Sequence, residues 1–175
     1  MFNVLLSSGL EDPFHKFTFD LRDDDPVGYE RYWNSVLSYF VKDYRAWVVS
    51  DQGEIISFGV WYRTASQLPK FDRGGASVER FKACQDVLNR INSYYENDRL
   101  QLELLYTKKD NWKKGAASLI LEQFMKEALG RGISAVVAAS PMGEKLYKKK
   151  GFVVDKEWKV ADGEEKVTFH TLKKE

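Results

Sequence analysis

Two short segments carry residues whose types and spacing could do chemistry. The first, Lys113-Lys114-Gly115-Ala116-Ala117-Ser118, follows the apolar run Leu104-Leu105-Tyr106-Thr107 and opens an apolar-periodic stretch. It reads as a strand, a basic glycine-containing turn and a helix start. A helix head exposes unpaired N–H groups and partial positive charge, so the backbone alone can stabilise a phosphate placed there. Gly115 permits close backbone approach, and Ala116 and Ala117 add little bulk. Lys113 and Lys114 add charge, and Ser118 adds a hydroxyl. The second segment, Leu146-Tyr147-Lys148-Lys149-Lys150-Gly151-Phe152, places a tyrosine hydroxyl one helical turn before a Gly-Phe strand entry.

The first segment is neither of two familiar phosphate motifs. A Walker loop needs Gly-Lys-Ser/Thr four residues after a first glycine, and a dinucleotide fingerprint needs three spaced glycines where this segment has one. An ordinary strand–loop–helix connection with two solvated lysines would use the same residues, so both readings stand on this segment alone.

The elements that must position these groups follow from periodicity and punctuation. Asp12-Pro13 starts a short helix, with Pro at its first position. The aspartates of 23–25 can cap a helix over about 27–42, with Tyr32, Val36, Tyr39 and Phe40 along one stripe. Ala46 to Val49, a turn at Asp51-Gln52-Gly53-Glu54, and Ile55 to Arg63 form a hairpin. A polar loop over 65–76 leads into a helix over 77–97, with Val78, Phe81, Val87, Ile91 and Tyr94 on an apolar face. The last third alternates: strand 100–107, helix 114–130, strand 133–139, helix 141–149, strand 152–160, a turn at 161–163 and strand 166–172. That order implies an α/β domain with a mixed sheet closed by an antiparallel hairpin. Residues 2–8 fit no pattern.

Composition sets the bounds. At 175 residues the chain fits one domain with a substantial core. It is 43% hydrophobic and 30% charged, the profile of a soluble globular protein. Its 11 Phe, 9 Tyr and 5 Trp supply core. A net charge of +1 gives no overall bias toward nucleic acid or membrane. No apolar run approaches the ~20 residues of a membrane span, and no secretory signal is visible, so the cytoplasm is the default compartment. The lone Cys84 reads as a structural thiol.

The last third resembles the GNAT superfamily of acyl-CoA-dependent N-acyltransferases. That family leads a strand into Gln/Arg-x-x-Gly-x-Gly/Ala at the head of a helix. The aligned positions here are Trp112-Lys113-Lys114-Gly115-Ala116-Ala117. Ala139-Ser140-Pro141, Leu146-Tyr147 and Gly151-Phe152 look like the family's next strand, its short helix with a tyrosine, and the strand after it. Asp12-Pro13 and the Tyr29 to Phe40 helix look like fungal-type members. The resemblance covers most of the chain and is most specific over 100–155.

The resemblance implies a GNAT fold, with a mixed central sheet splayed at the cofactor site and flanked by helices. It implies that the strand ending near Thr107 parts from its parallel neighbour around residue 135. The pantetheine arm of acetyl-CoA would lie in that V against Leu105, Tyr106 and Thr107. Its pyrophosphate would sit on Lys113 to Ser118, with Trp112, Ser140 and Tyr147 as further contacts. No metal is implied. The acyl acceptor would be an amine of a small molecule or peptide. Tyr147 is the candidate to protonate the departing thiolate and Glu103 the candidate base, because direct transfer needs a neutral amine. Alternation puts Glu103 on the face opposite Leu102 and Leu104. His15 and His170 read as remote packing or surface residues. The carboxylates of 20–25 could attract a cationic amine, with solvated loop charges as the plain reading.

Three departures stand out. Trp112 replaces the usual Gln/Arg, and could stack on the adenine or cover the pantetheine. Ala138 stands where fungal-type members often carry Glu. The family's first strand is either absent or supplied by Phe2 to Leu6. The competing function is a non-catalytic acyl-CoA-binding or interaction module on the same fold. A nucleic-acid surface built from Lys108, Lys109, Lys113, Lys114 and Lys148 to Lys150 is the third reading. The phosphates of coenzyme A explain that patch more economically. Monomer and homodimer both remain open.

Overall fold

The computed structural model describes residues 1–43, 45–63, 71–95, 98–160 and 167–174. The chain opens with helix α1, Phe2–Gly9, which buries Val4, Leu5 and Ser8. Phe2 to Leu6 is therefore helical and does not supply a first strand. Helix α2, Pro13–Thr18, is nucleated as the Asp-Pro pair requires. The Asp12 Oδ1 accepts from the Phe14 and His15 amides at 2.9 and 3.2 Å, and Pro13 needs no partner.

Helix α3, Pro26–Asp43, buries Tyr29, Trp33, Val36, Leu37 and Phe40. That stripe is rotated from the expected one, and Tyr32 and Tyr39 flank it half-buried. Strands β1, Arg45–Asp51, and β2, Glu54–Arg63, form the expected hairpin. Its two-residue turn holds Gln52 at φ 49° and Gly53 at φ 82°, the left-handed pair that suits strand twist.

Adjacent antiparallel strands need only a short turn between them. Here β2 and the next strand are separated by helix α4, Val78–Tyr94. It buries Cys84, Val87 and Ile91, while Val78 and Tyr94 are exposed at its ends. This inner stripe packs with Phe17 of α2 and Trp158. Strand β3, Arg99–Thr107, leads through a 3₁₀ turn at Lys109–Asn111 into helix α5, Ala116–Arg131. Then follow β4, Ser134–Ala139; α6, Pro141–Lys149; β5, Val153–Val160; and β6, Val167–Lys174. The expected turn at 161–163 and the first half of the 65–76 loop, 65–70, lie outside the described residues.

The sheet order is β1-β2-β3-β4-β6-β5. Among the described residues only β3 and β4 run parallel; the other neighbours are antiparallel, and β5–β6 is the closing hairpin. This is a mixed sheet flanked by helices, with α5 buried on one face through Ile120, Leu121 and Phe124. Helices α1 and α3 cover another part through Val4, Leu5, Trp33 and Phe40. Among the described residues no helix is long and apolar enough to cross a membrane.

Candidate active site

The one parallel strand pair is incomplete. Arg99 to Leu102 pair with Ser134 to Val137, and there the ladder stops. Beyond it β3 stays with β2 as far as Thr107, while Ala138 and Ala139 of β4 stay with β6. The strands thus part after Val137, two residues later than expected. A cleft of about 1840 Å³ opens between them, lined from both strands and from α2, α3, α4, α5 and α6.

A β-bulge sits at the parting point. Leu102 pairs with Trp61 and Leu104 with Val60, which leaves Glu103 as the extra residue on β3. The bulge breaks the alternation assumed from sequence. Leu100 and Leu102 pack with α5, whereas Leu104 and Tyr106 pack with α1 and α3. Leu102 and Leu104 therefore do not share a face, and Glu103 lies near enough to Tyr32 of α3 to act on it electrostatically. It lines the cleft half-buried. Loss of hydration raises its pKa above the usual carboxylate value, opposed by hydrogen bonds from Gln101 and Tyr62.

The head of α5 lines the same cleft. Gly115 is its N-cap at φ 94°, a left-handed conformation that favours glycine. The first helical bond runs from the Leu119 amide to the Gly115 carbonyl at 3.1 Å. The amides of Gly115 to Ser118 have no acceptor among the described residues. A Cβ built on Gly115 meets no atom within 4 Å, so the space beside this residue is open. Lys113, itself at φ 61°, lines the cleft with Ala116, Ala117 and Ser118. Lys114 is exposed outside it. An anion seated here would meet four backbone donors, a helix dipole and one lysine without displacing any protein partner.

The other lysines of the patch are mostly neutralised. Lys108 pairs with Glu54, Lys109 with Glu11, Lys148 with Glu144 and Lys150 with Glu122. A continuous basic surface for a nucleic-acid backbone is therefore broken up. The Trp112 indole donates to the Thr107 carbonyl at 2.7 Å, which ties the 3₁₀ turn to the end of β3. Its polar edge is thus committed to the loop, while its ring still lines the cleft.

Tyr147 enters from α6 and is 7% exposed. Its ring packs edge-on against Phe152 with centroids 6.0 Å apart, and its hydroxyl has no hydrogen-bond partner among the described residues. Burial, and then the Asp12 carboxylate, push its pKa well above the phenol value, so the hydroxyl stays protonated. Ser140, at the α6 N-cap, donates to Asp12 Oδ2, so its hydroxyl is engaged by protein. Leu105, Tyr106 and Thr107 all line the cleft.

Two residues not expected in the site also line the cleft. Asp12 caps α2 with one oxygen and clips Ser140 with the other. His15 is not remote. It is 3% exposed, stacks on Trp33 at 5.4 Å, and its ring nitrogens lie 2.6 Å from the Tyr29 hydroxyl and 3.4 Å from that of Tyr106. Burial holds its pKa down at about 3, so it is neutral at physiological pH. The Tyr106 contact spans 91 positions, and no local pattern announces it. His170 does lie off the cleft, 3.0 Å from Glu144. Cys84 is buried beside Thr18 Oγ1, and burial lifts its thiol to about 11, so it is no thiolate. No group of three or more His, Cys, Asp or Glu among the described residues is placed to hold a metal.

Comparison with known proteins places the fold in a family. Residues 10–152 match the model of the Acetyltransferase (GNAT) family. No curated protein matches the chain. Among solved structures, a GCN5-related N-acetyltransferase from Rhodopseudomonas palustris aligns with TM-score 0.56 at 15% identity, covering 98% of this chain and 84% of that one. A polyamine N-acetyltransferase of Drosophila melanogaster aligns with TM-score 0.56 at 9% identity, over 73% of each chain. A GNAT family acetyltransferase from Elizabethkingia anophelis, solved with acetyl-CoA bound, aligns with TM-score 0.50 at 11% identity, over 79% and 80%. At these identities the likeness is one of fold.

Proposed function

Because the chain belongs to the GNAT acetyltransferase family, we propose that it moves an acetyl group from acetyl-CoA directly to a primary amine of a small molecule or peptide. A single domain over residues 1–175 would carry the reaction. Acetyl-CoA supplies an activated thioester, with phosphates at one end and the reacting carbonyl at the other. The observation that carries this reading is a coincidence in one cleft. Open helix-head amides, a strand edge with no β4 partner and a protonated tyrosine line it together.

The residues divide the work by position. The amides of Gly115 to Ser118, with Lys113, hold the phosphates. The edge of Leu105 to Thr107 has no β4 partner and would hydrogen-bond an extended amide-bearing arm as a neighbouring strand would, with the Thr107 carbonyl shared with Trp112. Trp112 fixes the loop between these two regions. Tyr147 offers an O–H to the departing sulfur. Glu103, in the wall facing α3, takes a proton from the incoming ammonium. Much of the rate would come from holding amine and thioester together.

Replacing Tyr147 by Phe is expected to lower single-turnover acetyl transfer about 10-fold or more, within the range of general acid catalysis. Acetyl-CoA affinity should change less than twofold, because no cofactor-holding group is lost. A wild-type rate would remove Tyr147 from the reaction. The second reading, acyl-CoA binding without turnover, draws on Ala138, which gives the β4 wall of the cleft no acid–base group. It requires that Tyr147→Phe and wild type be equally inert.

A further inference from the structure

Behind the bulge lies a line of buried polar side chains that no step above uses. Arg99 and Gln101 are 3% and 2% exposed, on the β3 face that also carries Glu103. Arg99 donates to Gln101 Oε1 through Nη2 at 2.9 Å and Nε at 3.3 Å. Gln101 Nε2 in turn donates to Glu103 Oε2 at 3.4 Å. Arg99 is held by the Tyr95 carbonyl, by Asn92 Oδ1 at 3.4 Å and by the Tyr95 ring at 5.0 Å.

The direction of this string is fixed by chemistry. A guanidinium has only donors, so the Gln101 oxygen must face it. The amide nitrogen is then left for Glu103. A flipped amide would set N–H against N–H at one end and oxygen against a carboxylate at the other. Arg99 thus acts on Glu103 through a residue that can point only one way.

We propose that Gln101 is a positioning residue, anchored by Arg99, that fixes the orientation of the Glu103 carboxylate and favours its ionised form. This rests on the reading of Glu103 as the base. The groups facing Glu103 are few. Tyr62 of β2 hydrogen-bonds it, and Tyr32 of α3 is near enough to feel its charge. Helix α4 brings Lys82 and Cys84 to the cleft, and α2 brings His15 with its N-cap Asp12. The residues of α1 and β4 include no titratable side chain. Burial favours the protonated acid, so the Gln101 and Tyr62 donors are what hold proton affinity down.

The test is a titration of the folded, full-length chain. Carbon-13 NMR of labelled glutamate carboxyls, with Glu103 assigned by its loss in Glu103→Gln, gives the midpoint directly. Thiol release from acetyl-CoA with a primary amine gives the acid limb of the rate. Gln101→Met removes the donor and is expected to move both upward by about one pH unit. Gln101→Glu keeps the shape and the Arg99 partner, guarding against a folding defect. It is expected to move both further, by setting two acids side by side. Acetyl-CoA affinity should be unchanged in both. An unmoved Glu103 midpoint in both variants would overturn the positioning role. A wild-type rate in Glu103→Gln would instead overturn the base assignment, which the midpoint does not depend on.

Discussion

Gly115→Asp is expected to lower acetyl-CoA affinity by about 10³-fold. The residue stands at φ 94°, where a left-handed L-residue costs roughly 1–2 kcal/mol. Its Cβ would meet no protein atom, so the fold should survive the change. The carboxylate would project into the open cradle beside the unpaired amides. One added charge about 4 Å from a phosphate costs about 4 kcal/mol at an effective dielectric of 20, which is about three decades in affinity. Gly115→Ala has the strain without the charge and should lose about 10-fold or less. Calorimetry with acetyl-CoA and with free coenzyme A separates the two variants. If Gly115→Asp bound as tightly as wild type, the phosphates would not lie on α5.

Glu103→Gln is expected to cut kcat about 10²-fold or more at neutral pH while leaving acetyl-CoA affinity unchanged. The base works deprotonated, so the wild-type rate should fall as pH drops through its raised folded pKa, above the usual carboxylate value. The variant should lose that limb. Stability supplies a control of opposite sign. A carboxyl with a raised folded pKa binds its proton more tightly when folded. It therefore removes stability as pH rises from the unfolded pKa through the folded one. Glutamine escapes this loss, so the variant should be no less stable than wild type at neutral pH. A slow enzyme with an unchanged melting temperature marks a chemical role. A rate equal to wild type would move the base elsewhere, and Asp12 would be the carboxylate next to test.

What could be read from the chain was what depends on local chemistry. Asp12-Pro13 caps α2 because the cap needs only its own next residues. Gly115 marks a helix head because the left-handed turn is a local requirement. The order of strands and helices in the last third followed from periodicity and punctuation. What stays open or misplaced in the sequence has a different cause. Phe2 to Leu6 has no decisive period, and tertiary packing of Val4 and Leu5 makes it helical. The stripe of α3 was misplaced because Tyr32 and Trp33 are both apolar enough to qualify, and only the facing sheet chooses Trp33.

The candidate site was legible in part for the same reason. The cradle and Tyr147 belong to short segments. The bulge at Glu103 is a difference of register between β2 and β3, and no single strand contains it. It decides which way Leu104 and Tyr106 face, and so where the cleft wall lies. His15 reaches Tyr106 only once α2 has packed over β3. Gln101 resembled any polar strand residue until Arg99 fixed its orientation.

The central claim is that one cleft binds acetyl-CoA and delivers its acetyl group to an amine. The most direct measurement combines acetyl-CoA binding by calorimetry with thiol release across a panel of small primary amines and peptides bearing free amino termini. The expected result is saturable one-to-one binding and amine-dependent thiol release that Tyr147→Phe slows. Binding with no amine-dependent release anywhere in the panel would contradict transfer, and absence of binding would contradict the site itself.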